Sequence, residues 1–119
     1  MFINLTNHNS EQWSAEQLRA AWVYGKIVDI PFPNIPADAL AKDVKELTEE
    51  YCRKVLALNP LCVLVQGEMV FTYAMVQMLK KKGIRVVAAT TERLVKEVEE
   101  EGVVVKKSVF QFKQFREYI

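Results

Sequence analysis

The sequence predicts an α/β domain of three layers, built on a parallel sheet in the strand order 2-1-3-4 and closed by a C-terminal antiparallel hairpin. Three observations carry this. Short apolar, β-branched runs alternate with helical patterns across brief connections, which implies parallel strands joined by right-handed crossovers. The stretch Cys62-Val63-Leu64-Val65-Gln66-Gly67-Glu68-Met69-Val70-Phe71-Thr72 starts as such a run, breaks at a polar corner and continues as a helical pattern. A buried strand feeding a helix through a glycine turn is the joint beside which open α/β folds bind their ligands. Finally, β-branched and aromatic residues recur along Val103 to Phe112, which suits a strand.

Taken in order, Phe2-Ile3-Asn4-Leu5-Thr6 is the first strand and Asn7-His8-Asn9-Ser10 a polar loop. A helix start follows: Ser14 caps, Gln17 completes a capping box, and Trp13 staples onto Leu18. The helix runs to about Tyr24 and stops at Gly25, which suits a left-handed cap. Lys26 to Ile30 is the second strand, ended by Pro31-Phe32-Pro33 because proline cannot donate into a ladder. Asp29 inside it is costly unless the strand is an edge or the carboxylate has a partner.

In the second helix Leu40, Val44, Leu47, Tyr51, Val55 and Leu58 recur at spacings of three and four, one buried face. Glu49–Arg53 and Glu50–Lys54 pair on its outer side in the favourable order, and Asn59-Pro60 ends it. The third helix closes on Lys80-Lys81-Lys82, which complement the negative end of its dipole. Ile84 to Ala89 is the fourth strand. Residues 91–101 read either as a short helix, with Leu94, Val95 and Val98 on one face, or as the first arm of a hairpin turning at Glu100-Glu101-Gly102. We favour the hairpin. The closing stretch sets four aromatics, Phe110, Phe112, Phe115 and Tyr118, within nine residues. That is more apolar surface than one small sheet easily covers, and it suggests an oligomer contact.

At 119 residues the chain is one domain, 1–119, of a size that buries roughly two-thirds of its unfolded surface. Sixteen basic and fifteen acidic residues leave a net charge of +1, against capture of duplex nucleic acid. A compact anionic ligand remains compatible. Cys52 and Cys62 read as buried reduced thiols. No signal peptide opens the chain, and no apolar run approaches the ~18 residues of a membrane span. The expectation is a soluble, cytoplasmic protein that meets no membrane.

Dinucleotide and P-loop motifs are absent, and one histidine with two mid-element cysteines makes no metal set, so no cofactor and no metal are expected. Polar residues instead gather at strand ends. Asn7, His8, Asn9 and Ser10 follow strand one; Gln66, Gly67 and Glu68 follow strand three; Thr90, Thr91, Glu92 and Arg93 follow strand four. Strands one and three are neighbours where the chain's direction across the sheet reverses, so their loops share one crevice. Amide, imidazole, hydroxyl and guanidinium groups there suit an anion or a base. Each also has a plainer role: His8 as a solvated loop residue, Gly67 as a tight-turn glycine, Glu68 as a helix-start carboxylate, Arg93 as a paired surface charge.

Over nearly its whole length the chain resembles the small stand-alone proteins of CRISPR loci built on the CRISPR-associated Rossmann fold, the CARF-like group. The resemblance lies in Asn4-Leu5-Thr6-Asn7-His8, Asp29-Ile30-Pro31-Phe32-Pro33, Val65-Gln66-Gly67-Glu68, Thr91-Glu92-Arg93 and the closing Phe-x-Phe-x-x-Phe-Arg-Glu-Tyr. It implies a Rossmann-like homodimer whose crevices join across a twofold axis to hold a cyclic oligoadenylate, the second messenger of type III CRISPR immunity. Some such proteins only sense the ring. Ring nucleases open it without a metal, the 2′-hydroxyl attacking its own phosphate to leave a 2′,3′-cyclic phosphate. Carried onto this chain, Asn7, Asn9, Ser10, Gln66, Gly67, Glu68, Thr90 and Thr91 would bind the ring. His8, the chain's one imidazole, and Arg93, a donor for phosphate charge, would serve catalysis. The dimer would form through the C-terminal aromatic segment and the sheet edge. The chain lacks the group's Gly-Gly-Thr type of turn, and Thr72 lies inside the helix. A sensor and an interaction module using the aromatic tail are the competing readings.

Overall fold

Every residue of the first strand, β1 (Phe2–Thr6), is buried, as a central strand covered on both faces requires. The computed structural model describes residues 1–119. Its other strands are β2 (Ile27–Asp29), β3 (Cys62–Gln66), β4 (Arg85–Glu100) and β5 (Val103–Glu117), and its helices are α1 (Ala15–Trp22), α2 (Ala41–Ala57) and α3 (Met69–Lys81). The five strands form one sheet in the order β2-β1-β3-β4-β5. The first four pair in parallel, and β5 runs antiparallel to β4.

Strand side chains alternate between faces, and the core divides accordingly. Phe2, Cys62, Leu64 and Val87 pack with Ala21 of α1, while Ile3, Leu5, Val63, Val65 and Val86 pack with α2 and α3. Cys52 and Cys62 are free and buried, and burial pushes the Cys62 thiol up to about 11, so it stays protonated and unreactive. No helix is long and apolar enough to cross a membrane.

Three expectations need correction. The buried face of α2 is Val44, Thr48, Cys52 and Val55, with Leu47 and Tyr51 at its margin; Leu40 and Leu58 lie exposed. Thr48 enters the core because its hydroxyl donates to the Val44 carbonyl at 2.7 Å, hiding its polarity within the helix. Of the two ion pairs expected on the outer side, only Glu50–Lys54 forms, at 3.4 Å. Trp13 packs edge-on against Phe2, with ring centroids 6.1 Å apart, on the sheet.

The largest departure concerns the fourth strand. It does not stop at Ala89 before a separate hairpin. No glycine or proline interrupts it, and it continues to Glu100 through a bulge at Thr90/Thr91. The expected four-strand order thereby extends to five, with β5 as the new edge. Glu101 and Gly102 turn the chain with φ of 51° and 76°, a two-residue type I′ hairpin turn. The C-terminal aromatics are mostly intramolecular: Phe115 lies 5.0 Å from both Phe2 and Phe112, and the Tyr118 hydroxyl donates to the Val65 carbonyl at 2.8 Å. Phe110 alone of the four is well exposed.

Candidate functional site

The site begins with a buried amide in β1. Asn4, 1% exposed, donates to Asp29 Oδ1 at 2.7 Å and to the His8 carbonyl at 2.8 Å, and accepts from the Thr6 hydroxyl at 2.8 Å. The Ser10 amide and hydroxyl close the circuit on the two oxygens of Asp29, at 3.0 and 2.7 Å. An amide is the one side chain that can donate to a carboxylate and a carbonyl while accepting from a hydroxyl. The network draws the loop after β1 back onto β2, an edge strand, and sets Asn7 and His8 facing outward.

Burial raises the Asp29 carboxyl, but hydrogen bonds from Ser10 and Asn4 outweigh it and hold the group below its ordinary 3.8. A carboxyl lowered in the folded state stabilises above its unfolded pKa and loses that contribution as pH falls through the folded value. The loop's contribution is therefore full at neutrality and fades below pH 3.8. In thermal melts from neutral pH to about 2.5, wild type should lose more stability over the acid limb than Asp29→Asn does. Equal losses would show that Asp29 is not the group responsible.

Around this loop lies a crevice of about 710 Å³ at the carboxyl ends of β1 and β3. The short 3-10 turn Ser10–Gln12 and the start of α1 bring Gln12, Trp13, Ser14 and Gln17 to it; β3 brings Leu64, Gln66 and Gly67. The hairpin strands add Ala89, Thr91, Phe110 and Phe112. Gln66 holds the wall between β3 and β4. Its side-chain amide accepts from the Ala89 amide at 2.9 Å and donates to the Ala89 carbonyl at 3.2 Å, copying a ladder pair just beyond the last parallel pairing, Leu64–Val87. Gln66→Ala is expected to cost about 1–2 kcal/mol, because both Ala89 peptide groups lose a partner. Urea denaturation reads it, and a loss near zero would mean water replaces the clamp freely.

Of the residues expected at the site, Asn7, His8, Gln66, Gly67 and Thr91 come together in the crevice. The others bond locally, as short polar side chains near turns tend to do. Asn9 caps the 3-10 turn by accepting from the Glu11 amide at 2.9 Å, and Ser10 serves Asp29. The Glu68 carboxylate caps α3, accepting from the Val70 and Phe71 amides at 2.7 and 3.0 Å. Thr90 bonds across the bulge to the Gln114 backbone. Arg93 lies further out, its guanidinium donating to the Ser108 hydroxyl at 3.1 and 2.9 Å. Because β4 runs on past Thr90, residues 91–93 are strand and not a strand-end loop, which carries Arg93 away from the crevice wall.

Gln12, Gln17, Phe110 and Phe112 are wall residues beyond those expected, and Trp13, for which a staple is favoured over a base-stacking platform from the sequence, joins them. The start of α1 was readable, since a helix following β1 begins above the sheet's carboxyl edge. Nothing local marks the two phenylalanines, which arrive through long-range pairing with Arg93 and Thr91.

The model of the Uncharacterized protein MJ1673 family matches residues 1–116. The chain belongs to this family. The matched span takes in the whole crevice and all of the hairpin but the last residue of β5. No curated protein matches the chain.

Chemically, the wall of this family member's crevice contains no Lys, Arg, Asp or Glu; its one titratable side chain is His8. It offers amides and hydroxyls for hydrogen bonds and aromatic faces for stacking, a combination suited to planar polar groups such as nucleobases. Nowhere in the structure do three or more His, Cys, Asp or Glu side chains gather into a cluster that could hold a metal ion.

Proposed function

We propose that the crevice binds a cyclic oligoadenylate and opens its ring slowly, the ligand's own 2′-hydroxyl attacking the adjacent phosphate to leave a 2′,3′-cyclic phosphate. The observation that carries this reading is the composition of the wall: amides, hydroxyls and an imidazole beside aromatic faces, with no carboxylate to repel a phosphate. Trp13 and Phe110 offer stacking faces, and Gln12 and Gln17 offer amides of the kind that pair with an adenine edge. His8 is the proton-transfer group, and the crevice walls hold the attacking oxygen in line. The location, where the direction across a parallel sheet reverses, is where Rossmann-like domains take nucleotides. On that basis we read the chain as a cytoplasmic, CARF-like, Rossmann-like domain of type III CRISPR immunity that works as a homodimer.

The test is chromatography with mass spectrometry on cyclic tri-, tetra- and hexa-adenylate incubated with the protein in EDTA. Binding is followed in parallel by isothermal titration calorimetry, which reads wild type and every variant alike. Trp13→Ala should weaken binding roughly 10–100-fold, from the loss of one stacked base. His8→Ala should bind but cleave slowly, and Arg93→Ala should match wild type in both. Failure of every ring to bind would sink the proposal. A second reading, a sensor that keeps the ring intact, is favoured by one feature: no Lys or Arg in the wall answers the charge that develops on the phosphate. A ring that binds and survives overnight incubation with excess protein would establish that reading.

A further inference from the structure

We infer that the pocket between α3 and Tyr118 is a second binding site, one that takes an amphipathic acid with an apolar body and a carboxylate head. The pocket has a volume of about 850 Å³, within the range of small-ligand sites. It meets the crevice only at Gln66 and Gly67, and its chemistry differs from the crevice's. The crevice wall carries no Lys, Arg, Asp or Glu, whereas this wall carries two lysines and no Asp or Glu. The site stands whatever ligand the crevice takes.

A single stripe of α3 builds the near wall. Met69, Thr72, Tyr73, Val76, Gln77 and Lys80 recur at spacings of three and four, so they share one face of the helix. A surface helix ordinarily turns its polar side to water, yet here Met69 is 84% exposed and Tyr73 66%. Val76, buried, forms the floor. The far wall is Tyr118, fixed at three points. Its amide donates to the Val86 carbonyl at 3.0 Å, its hydroxyl donates to the Val65 carbonyl at 2.8 Å, and its carbonyl accepts from the Lys80 ammonium at 2.6 Å. A wall held in this way is pre-formed, which lowers the cost of binding.

Two features say what fits, and the first is charge. Lys80 and Lys81 lie at one end of the stripe, and neither forms an ion pair. Lys80 uses one of its three donors on Tyr118 and keeps two. Two ammonium groups beside an apolar wall, with no Asp or Glu to neutralise them, complement a carboxylate. The second feature is an unmet hydrogen bond. The Thr72 hydroxyl is buried and has no partner. Thr48 hides its hydroxyl by donating to the carbonyl four residues back. Thr72 does not, and an unpaired buried hydroxyl is costly. It stands eight residues before Lys80, about 12 Å of helix rise. The site thus matches a chain with an anion at one end and a hydrogen-bonding group toward the other.

The test is a nuclear magnetic resonance titration of the isotope-labelled full chain, with octanoate as the probe. Octanoate is expected to bind with a Kd of about 1 mM. It should shift the amides of α3 and Tyr118 and leave the Trp13 indole in place. Lys80→Gln/Lys81→Gln should weaken octanoate roughly tenfold. Octanol, the same chain without the charge, should bind wild type and that variant alike, which excludes misfolding as the cause. An ω-hydroxyoctanoate should bind wild type about threefold tighter than Thr72→Val, while octanoate binds the two equally. Thr72→Val should also melt no lower than wild type, because the hydroxyl it removes has no partner to lose. No shifts at millimolar octanoate, shifts centred on the crevice, or a lysine variant that binds octanoate like wild type would each overturn the assignment. So would a hydroxy acid that fails to tell Thr72 from valine, or a Thr72→Val that melts lower.

Discussion

Replacing Gly67 by alanine is expected to lower the melting temperature by roughly 4–12 °C, from a destabilisation of about 1–3 kcal/mol at around 4 °C per kcal/mol for a chain of this size. The cause is steric. A Cβ at this position would lie 2.3, 2.4 and 2.7 Å from three atoms of the Phe32 ring, well inside contact distance. The ring has little freedom to retreat: it is set between Pro31 and Pro33 and packs edge-on against Phe71 at 5.1 Å. Close approach of a ring to the chain is thus what requires glycine at the β3–α3 turn. A double-mutant cycle isolates the clash. Phe32→Leu alone should destabilise, yet Gly67→Ala should cost much less in that background than in wild type. If Gly67→Ala melts within about a degree of wild type, the turn is more yielding than a close-packed core allows.

Asn4→Asp is expected to be the more damaging change, about 3–5 kcal/mol at neutral pH, because it buries a charge that has only the Thr6 hydroxyl as a donor. The new carboxylate would face Asp29 Oδ1 and the His8 carbonyl, both acceptors now 2.7 and 2.8 Å from the Asn4 nitrogen. Two carboxylates this close cannot both ionise, so one acquires a folded pKa above its unfolded value. A group raised in the folded state stabilises fully below its unfolded pKa, and that contribution is lost as pH rises through the folded value. The variant's deficit should therefore shrink on acidification, opposite in sign to the acid limb that Asp29 gives wild type. Urea midpoints at neutral pH and near pH 4.5 check this, with Asn4→Ala as a variant that lacks the second carboxylate. A deficit that does not change with pH would mean that Asn4 and Asp29 are not coupled as the geometry requires. Both variants should also weaken any ligand in the crevice, since the network holds the loop bearing Asn7 and His8.

How much was legible in the sequence follows from the range of the interactions involved. Ser14 as a helix cap, Gly25 as a left-handed stop and the buried runs of β1 and β3 rest on residues within a turn of one another, and each stands as read. Asp29 inside a strand needs an edge position or a partner. It has both, but the partners Asn4 and Ser10 lie 25 and 19 residues away. The second helix was recognised while its face was misjudged by one row, because periodicity cannot register that the Thr48 hydroxyl is silenced within the helix.

The sequence by itself determined the elements and their order, since hydrophobic period, capping and turn chemistry act over a few residues. It also determined that the loops after the first and third strands meet, which follows from parallel strands and crossover direction alone. Only the tertiary structure decided which side chains reach the crevice. Asn9, Ser10, Glu68 and Thr90 had the right chemistry but bond to their own surroundings, and Phe110 and Phe112 arrive by pairing across the hairpin with Arg93 and Thr91, far from them in sequence. The continuity of β4 through its bulge likewise removed Arg93 from the wall and built the long β4–β5 hairpin. A strand ends where its partner ends, and the partner of this one lies in the last residues of the chain.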